Sequence, residues 1–321
     1  MKNTILTYIC ALSLVLTINL FAQDANLRQK EYTSGSKEDA REWQIEVRSQ
    51  LFNLLKMDDL ITSYRKPNLD SSVPIIKDSA NYIKKELEIN STSTRKIKII
   101  ITIPKTTNKN LPAVVCIAGH GGDRYTVYEN ETTYYCFATE LAKKETITIS
   151  VDVGQHNVYE PNRTLMGERL WDLMRCVDYL ESLQIVDKSR IGCAGLSLGG
   201  EMAMWLGAMD ERIEATVSAG FLTNMDHMEQ NHCMCWKFDG LRELVDYADI
   251  YSLIAPRFLQ CQNGLKEPPK AFTPKLAEEA LKEIKLIYMD YKMENSVELV
   301  IHNGGHEIAL LELLTFFDEH L

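Results

Sequence analysis

Apolar and polar positions along this chain repeat with two periods, helical and strand-like, and the two take turns. Residues 36–56 place Trp43, Val47, Leu51 and Leu54 at helical spacing, opened by Ser36 and Asp39 in a capping-box arrangement. A stretch containing Pro and Ser, 66–74, separates this helix from the main body of the chain. Residues 82–89 and 96–103 alternate as strands around the turn-like Asn90-Ser91-Thr92-Ser93, which predicts an antiparallel pair. Residues 113–118 form an unbroken apolar strand that ends in Gly119-His120-Gly121-Gly122. Helix 134–144, strand 147–153, helix 164–183, strand 190–194, helix 198–209 and strand 215–219 come next in turn. After an irregular insertion come strand 257–261, helix 274–289, strand 297–301 and a last helix from Glu307. This alternation predicts an α/β fold, a mostly parallel doubly wound sheet with an antiparallel N-terminal edge.

The first residues break the pattern. Lys2, an apolar run from Ile5 to Phe21 and the small residue of Ala22-Gln23-Asp24 read as a signal peptide, residues 1–22. The alternative is an uncleaved anchor, for which about 17 apolar residues is the short limit. A cleaved signal implies a secreted or periplasmic protein with no stable membrane association. The formal charge of −10, with no basic stripe, excludes nucleic acid as the expected partner. Beyond Cys10, seven cysteines remain, and Cys116, Cys193 and Cys261 lie in apolar runs where a thiol packs as a small hydrophobe. An odd number implies at least one free thiol. No pattern fixes the oligomeric state.

The chemistry centres on Gly195-Leu196-Ser197-Leu198-Gly199. A bare G-x-S-x-G arises by chance in about one in ten chains of this length. Here it follows the apolar strand 190–194 and precedes the helix-forming 198–209, the strand–turn–helix setting of a nucleophile elbow. A serine hydroxyl needs a neighbouring base, and in sheets with this elbow the chain order is Ser, then Asp or Glu, then His. Of seven histidines, His302 ends the last strand, and His306 follows the Gly304-Gly305 turn at the start of the final helix. His306 is therefore the expected base. The acid is Glu267, after strand 257–261, or Asp226, after the preceding strand. The backbone N–H of Leu198 and those of Gly121 or Gly122 are the expected oxyanion-hole donors.

The insertion 227–241 should overhang the site. His227, His232, Cys233 and Cys235 have spacings that match no standard zinc finger, so no metal or cofactor is expected. Met234 and Trp236 are expected to wall the pocket, and His120, Gln155, His156, Tyr159 and Arg163 to offer polar contacts to substrate.

Gly119 to Gly122, the run from Gly167 to Arg175, Gly195 to Gly200, Ala255-Pro256-Arg257 and Gly304-Gly305-His306-Glu307 together resemble the acetyl xylan esterase and dienelactone hydrolase-like branch of the α/β-hydrolases. The resemblance spans Lys96 to the C-terminus. Members commonly carry Gly-x-x-Asp-Pro at the acid position, where this chain has Gly264-Leu265-Lys266-Glu267-Pro268. It implies a serine carboxylic-ester hydrolase acting through an acyl-enzyme on acetylated carbohydrate or a similar small ester. A prolyl-oligopeptidase-type peptidase and a noncatalytic binding protein on the same scaffold are the alternatives. The expected organisation is a signal peptide (1–22), an N-terminal helical extension (23–75) and a catalytic domain (76–321).

Overall fold

A computed structural model describes residues 27–62, 69, 71–230 and 232–321. The segment read as a signal peptide lies outside these residues. The strands are β1 (Ile75–Asp78), β2 (Tyr82–Asn90), β3 (Lys96–Pro104), β4 (Leu111–Ile117), β5 (Ile147–Val151), β6 (Val186–Leu196), β7 (Ala215–Ala219), β8 (Phe258–Gly264) and β9 (Val297–His302). They form one sheet in the order β1-β2-β3-β5-β4-β6-β7-β8-β9. The edge from β1 to β5 is antiparallel, and every pairing from β5 to β9 is parallel. The expected antiparallel edge therefore carries one further strand, β1, whose residues are all exposed. It begins at Ile75, the last residue of the expected N-terminal extension.

The longer helices are α1 (Lys37–Leu54), α2 (Phe137–Lys143), α3 (Leu165–Ser182), α4 (Leu198–Met209), α5 (Pro274–Tyr291) and α6 (Leu310–His320). Side-chain alternation along β4 assigns them to faces. Ala113, Val115 and Ile117 join the core formed with α1, α3, α4 and α5, while Val114 and Cys116 join the one formed with α2 and α6. β4 lies between β5 and β6, so the sheet reverses its winding there. The carboxyl ends of β4 and β6 are then neighbours, with Ile117 paired to Gly195. A crevice at such a switch is where open α/β sheets bind ligands.

Two helices act as struts. α1 opens with the expected capping box and is bound to the body by Gln44 and Arg48. Gln44 donates to the carbonyls of Ser252 and Ala255 at 3.0 and 2.7 Å, and Arg48 Nε to that of Ala208 at 2.8 Å. α3 carries the Gly-Glu-Arg-Leu-Trp-Asp run. Its Glu168 accepts the amides of Tyr159 and Glu160, Trp171 donates to the Ser91 carbonyl at 2.9 Å, and Asp172 holds Arg95 through two contacts of 2.7 and 2.8 Å. The run thus fixes the loop after β5 and the turn between β2 and β3. Among the described residues, no helix is long and apolar enough to cross a membrane.

Candidate active site

Ser197 links β6 to α4 with φ 62° and ψ −124°, a conformation that costs a non-glycine residue about 1–3 kcal/mol. The surroundings enforce it. A Cβ at Gly195 would fall 2.2 Å from the Gly199 carbonyl oxygen, and one at Gly199 would fall 2.3 Å from that of Ile117. The Ser197 amide donates to Ala219 across the β6–β7 pairing at 2.9 Å. The flanking glycines are therefore a packing requirement, and the turn delivers the serine to the carboxyl edge of the sheet.

His306 lies in the loop after β9. α6 starts only at Leu310, so His306 precedes the last helix instead of opening it as expected. Its Nδ1 meets Glu267 Oε1 at 2.7 Å, and Glu267 is buried. The loops that carry the two residues are zipped together. Leu265 and Lys266 donate to the carbonyls of His302 and Gly304, both at 2.9 Å, and a Cβ at Gly264 would strike the Gly305 carbonyl at 2.2 Å. The imidazole rests on the backbone of Gly220, where a Cβ would lie 2.8 Å from its Cε1, and Phe272 stacks on it at 5.6 Å. Gly220 directly follows Ala219, the partner of Leu196 in the sheet, so the histidine ring is brought beside the elbow. Asp226 instead forms an ion pair with Arg242 and is largely exposed. His302 Nδ1 accepts the Gly304 amide at 3.2 Å and helps shape the turn before His306.

Of the expected oxyanion donors, Gly122 is spent on a turn, donating its N–H to the Gly119 carbonyl at 3.1 Å. The amides of His120 and Gly121 carry no hydrogen bond among the described residues. Gly121 takes φ +73°, with open space where a side chain would stand. Gly119 lies closest to the nucleophile, since a Cβ there would be 3.2 Å from that of Ser197. Tyr134 fixes this approach, its hydroxyl accepting the Gly119 amide at 2.6 Å.

A cavity of about 70 Å³ opens at Ser197, bounded by Leu198, Glu201, Phe221, Met228 and Phe272. A wider cleft of about 1110 Å³ begins at Gly121, Gly122 and Gln155 and runs past Tyr159 toward Arg95. Trp236 is an internal anchor at 1% exposure, packed on Tyr247, and not the pocket wall expected from its position in the insertion. Met234 is exposed and does not bound the cavity. Arg163 is paired with Asp59 at 2.5 and 2.7 Å, joining the loop after β5 to the segment beyond α1.

Comparison with known proteins bears on the fold. The profile of the family described as "Glucuronyl esterase, fungi" matches residues 88–220, which include the loop after β4 and Ser197 but stop short of Glu267 and His306. A relative from Bacillus subtilis (strain 168), YtaP, named for no reaction narrower than hydrolase, is 28% identical over 238 residues, covering 66% of this chain and 77% of its own. A Bacteroides fragilis NCTC 9343 structure described as a candidate acetyl xylan esterase superposes with TM-score 0.72 at 17% identity, covering 89% of this chain and 81% of that one. A glucuronoyl esterase from Solibacter usitatus gives TM-score 0.67 at 15% identity, covering 89% and 93%. The chain has the α/β-hydrolase fold.

Within this fold, the sequence missed three residues at the site. Phe272, on the acid loop, and Glu201, one turn into α4, had no distinguishing signal, because both read as ordinary positions of their elements. Burial pushes the Glu201 carboxyl up to about 8, with Arg169 opposing, so it is held neutral at pH 7. Arg169 belonged to a noted run, but its partners are visible only in three dimensions: the Gln155 carbonyl and Cys235 Sγ, the latter at 3.5 Å. The four insertion residues also separate. His227 and His232 face each other at 3.1 Å beside Phe272, whereas Cys235 meets His120 at 3.2 Å and Cys233 meets His156 at 3.3 Å.

Proposed function

We propose that this protein is a secreted or periplasmic serine esterase acting on carbohydrate esters through an acyl-enzyme. The observation that carries the reading is the Glu267–His306 pair at 2.7 Å, set at the sheet edge that also presents Ser197 on its strained elbow. In this mechanism His306 Nε2 accepts the Ser197 proton as Oγ attacks the ester carbonyl. Glu267 holds the proton on Nδ1 and stabilises the imidazolium. The negative oxygen of the tetrahedral intermediate is met by the N–H of Leu198 and by an amide of the His120–Gly121 peptide segment. Collapse expels the alcohol, which takes its proton from His306. Water then attacks the acyl-enzyme by the same steps in reverse roles, releasing the acid and restoring Ser197.

The shape of the site favours a small acyl group on a large alcohol. A cavity of about 70 Å³, small beside the cleft of about 1110 Å³, suits a short acyl group such as acetyl. The polar cleft beyond Gly121 suits the glycan. The match of residues 88–220 to glucuronyl esterases favours a second reading, in which a uronic acid is the acyl part and would occupy the larger cleft. Product analysis separates them. Incubation with acetylated xylan should release acetate in the wild type and none in Ser197→Ala. Release of alcohol from a glucuronic acid ester without acetate from xylan would favour the second reading. Failure on both substrates would refute an esterase of either kind.

A further inference from the structure

We infer that His120, His156, Cys233 and Cys235 form a four-coordinate zinc site that fastens the insertion to the loops beside Ser197. One donor atom from each residue lies within 4.8 Å of all the others. Tetrahedral zinc with bonds of about 2.3 Å to sulfur and about 2.0 Å to nitrogen needs N···S separations near 3.5 Å and S···S near 3.8 Å. Two N···S contacts already stand at 3.2 and 3.3 Å, so a metal can enter with small side-chain movements. Two thiolates with two imidazoles, and no carboxylate, is a donor set that selects zinc over magnesium or calcium.

The ligands come from three separate segments. His120 stands after β4, His156 after β5, and the two cysteines on the insertion between β7 and β8. Each segment is anchored independently of the cluster. The turn from Gly119 to Gly122 holds the first, Arg169 binds the Gln155 carbonyl beside the second, and buried Trp236 roots the third. Arg169 also directs Nη1 to Cys235 Sγ at 3.5 Å, the place of an outer partner to a metal-bound thiolate. Four protein ligands close the coordination sphere and leave no position for substrate, so the ion is structural. His120, Cys233 and Cys235 bound the Ser197 cavity, and the ion therefore sets that cavity's shape. Metal binding does not rest on the esterase reading; only its effect on turnover does.

The test uses the full chain, purified under reducing conditions without a metal-binding tag, reconstituted with one equivalent of Zn²⁺ and desalted. Elemental analysis should find one zinc per chain. Cys233 and Cys235 should be slow to react with a thiol reagent until a chelator is added, when both become reactive. His156→Ala and Cys233→Ser should each weaken zinc binding well beyond the 10–100-fold typical of losing an outer partner. His227→Ala should bind zinc as the wild type does, which controls for general effects on the insertion. Circular dichroism and thermal midpoint, recorded on every variant, show whether the fold survives, and labelling of wild-type Ser197 by a fluorophosphonate tests the esterase separately. Chelation should lower kcat/KM for p-nitrophenyl acetate by tenfold or more, restored by added zinc. Substoichiometric zinc after reconstitution, equal zinc affinity in the folded His156→Ala protein, or a Cys233–Cys235 disulfide in reduced, reconstituted protein would overturn the site.

Discussion

Replacing Glu267 by Gln tests the catalytic pair more sharply than any other single change. The carboxylate is buried and accepts the Nδ1 proton of His306 at 2.7 Å, so its charge faces the imidazolium at close range in a water-poor setting. An amide keeps the shape but turns an N–H toward Nδ1, which holds the proton on Nε2, the atom that must accept it from Ser197. Loss of this tautomer and of the charge costs about 10⁴ in kcat, roughly 5.4 kcal/mol of barrier. The isosteric swap leaves no cavity, and one weakened charge-assisted hydrogen bond should cost less than about 3 kcal/mol of stability. Glu267→Asp retains charge with shorter reach and should keep far more activity than Glu267→Gln. Asp226→Asn breaks an exposed pair with Arg242, so it should change kcat by tenfold or less and stability by at most about 1 kcal/mol. The assay is kcat on p-nitrophenyl acetate with thermal midpoints recorded in parallel. A larger loss in Asp226→Asn than in Glu267→Gln would refute the assignment, and equal losses in Glu267→Gln and Glu267→Asp would show that charge is not the requirement.

Gly220→Ala places a Cβ 2.8 Å from His306 Cε1 at a residue with φ +57°, so kcat should fall at least tenfold while the protein stays folded, as steady-state kinetics and circular dichroism can check. Arg48→Ala removes the donor to the Ala208 and Leu253 carbonyls and should cost about 2–4 kcal/mol, read as a lowered denaturant midpoint in one cooperative transition; a separate early transition would mean that α1 folds apart from the body. Glu201 is neutral in the fold up to about pH 8 but ionises near 4.5 when unfolded, so its contribution is complete below pH 4.5 and is lost as pH rises through 8. Glu201→Gln should therefore raise stability relative to wild type progressively across that window, by on the order of 3 kcal/mol at pH 7, and a gap in melting temperature that does not change with pH would contradict this.

Sequence legibility followed the range of the interactions. The elbow was readable because Gly195, Ser197 and Gly199 are close in sequence between an apolar strand and a helix, although the Gly199 requirement comes from Ile117 on the neighbouring strand. The sheet was readable because burial on two faces imposes unbroken apolar runs such as 113–118. Sequence favoured Glu267 over Asp226 from its place after the later strand, but it could not show that the Gly264 and Gly304 loops zip together and bring Glu267 to His306. β8 continues through Gly264, past the predicted end at Cys261, because polar Gln262 and Asn263 are buried and paired across the sheet with Val300 and Ile301. The Cys-His cluster was illegible for a stronger reason. Proximity in sequence grouped Cys233 and Cys235 with His227 and His232, but the sheet's switch point brings His120 and His156 to them from 115 and 77 residues away.

The central claim is that Ser197 is a nucleophile activated by His306. Its most direct measurement is intact-mass analysis after exposure to a fluorophosphonate, followed by peptide mapping of the adduct. One phosphonyl group per chain should appear on Ser197, slowed by orders of magnitude in His306→Ala and absent in Ser197→Ala. A folded protein that stays unmodified, or is modified at another serine at the same rate in Ser197→Ala, would contradict the account.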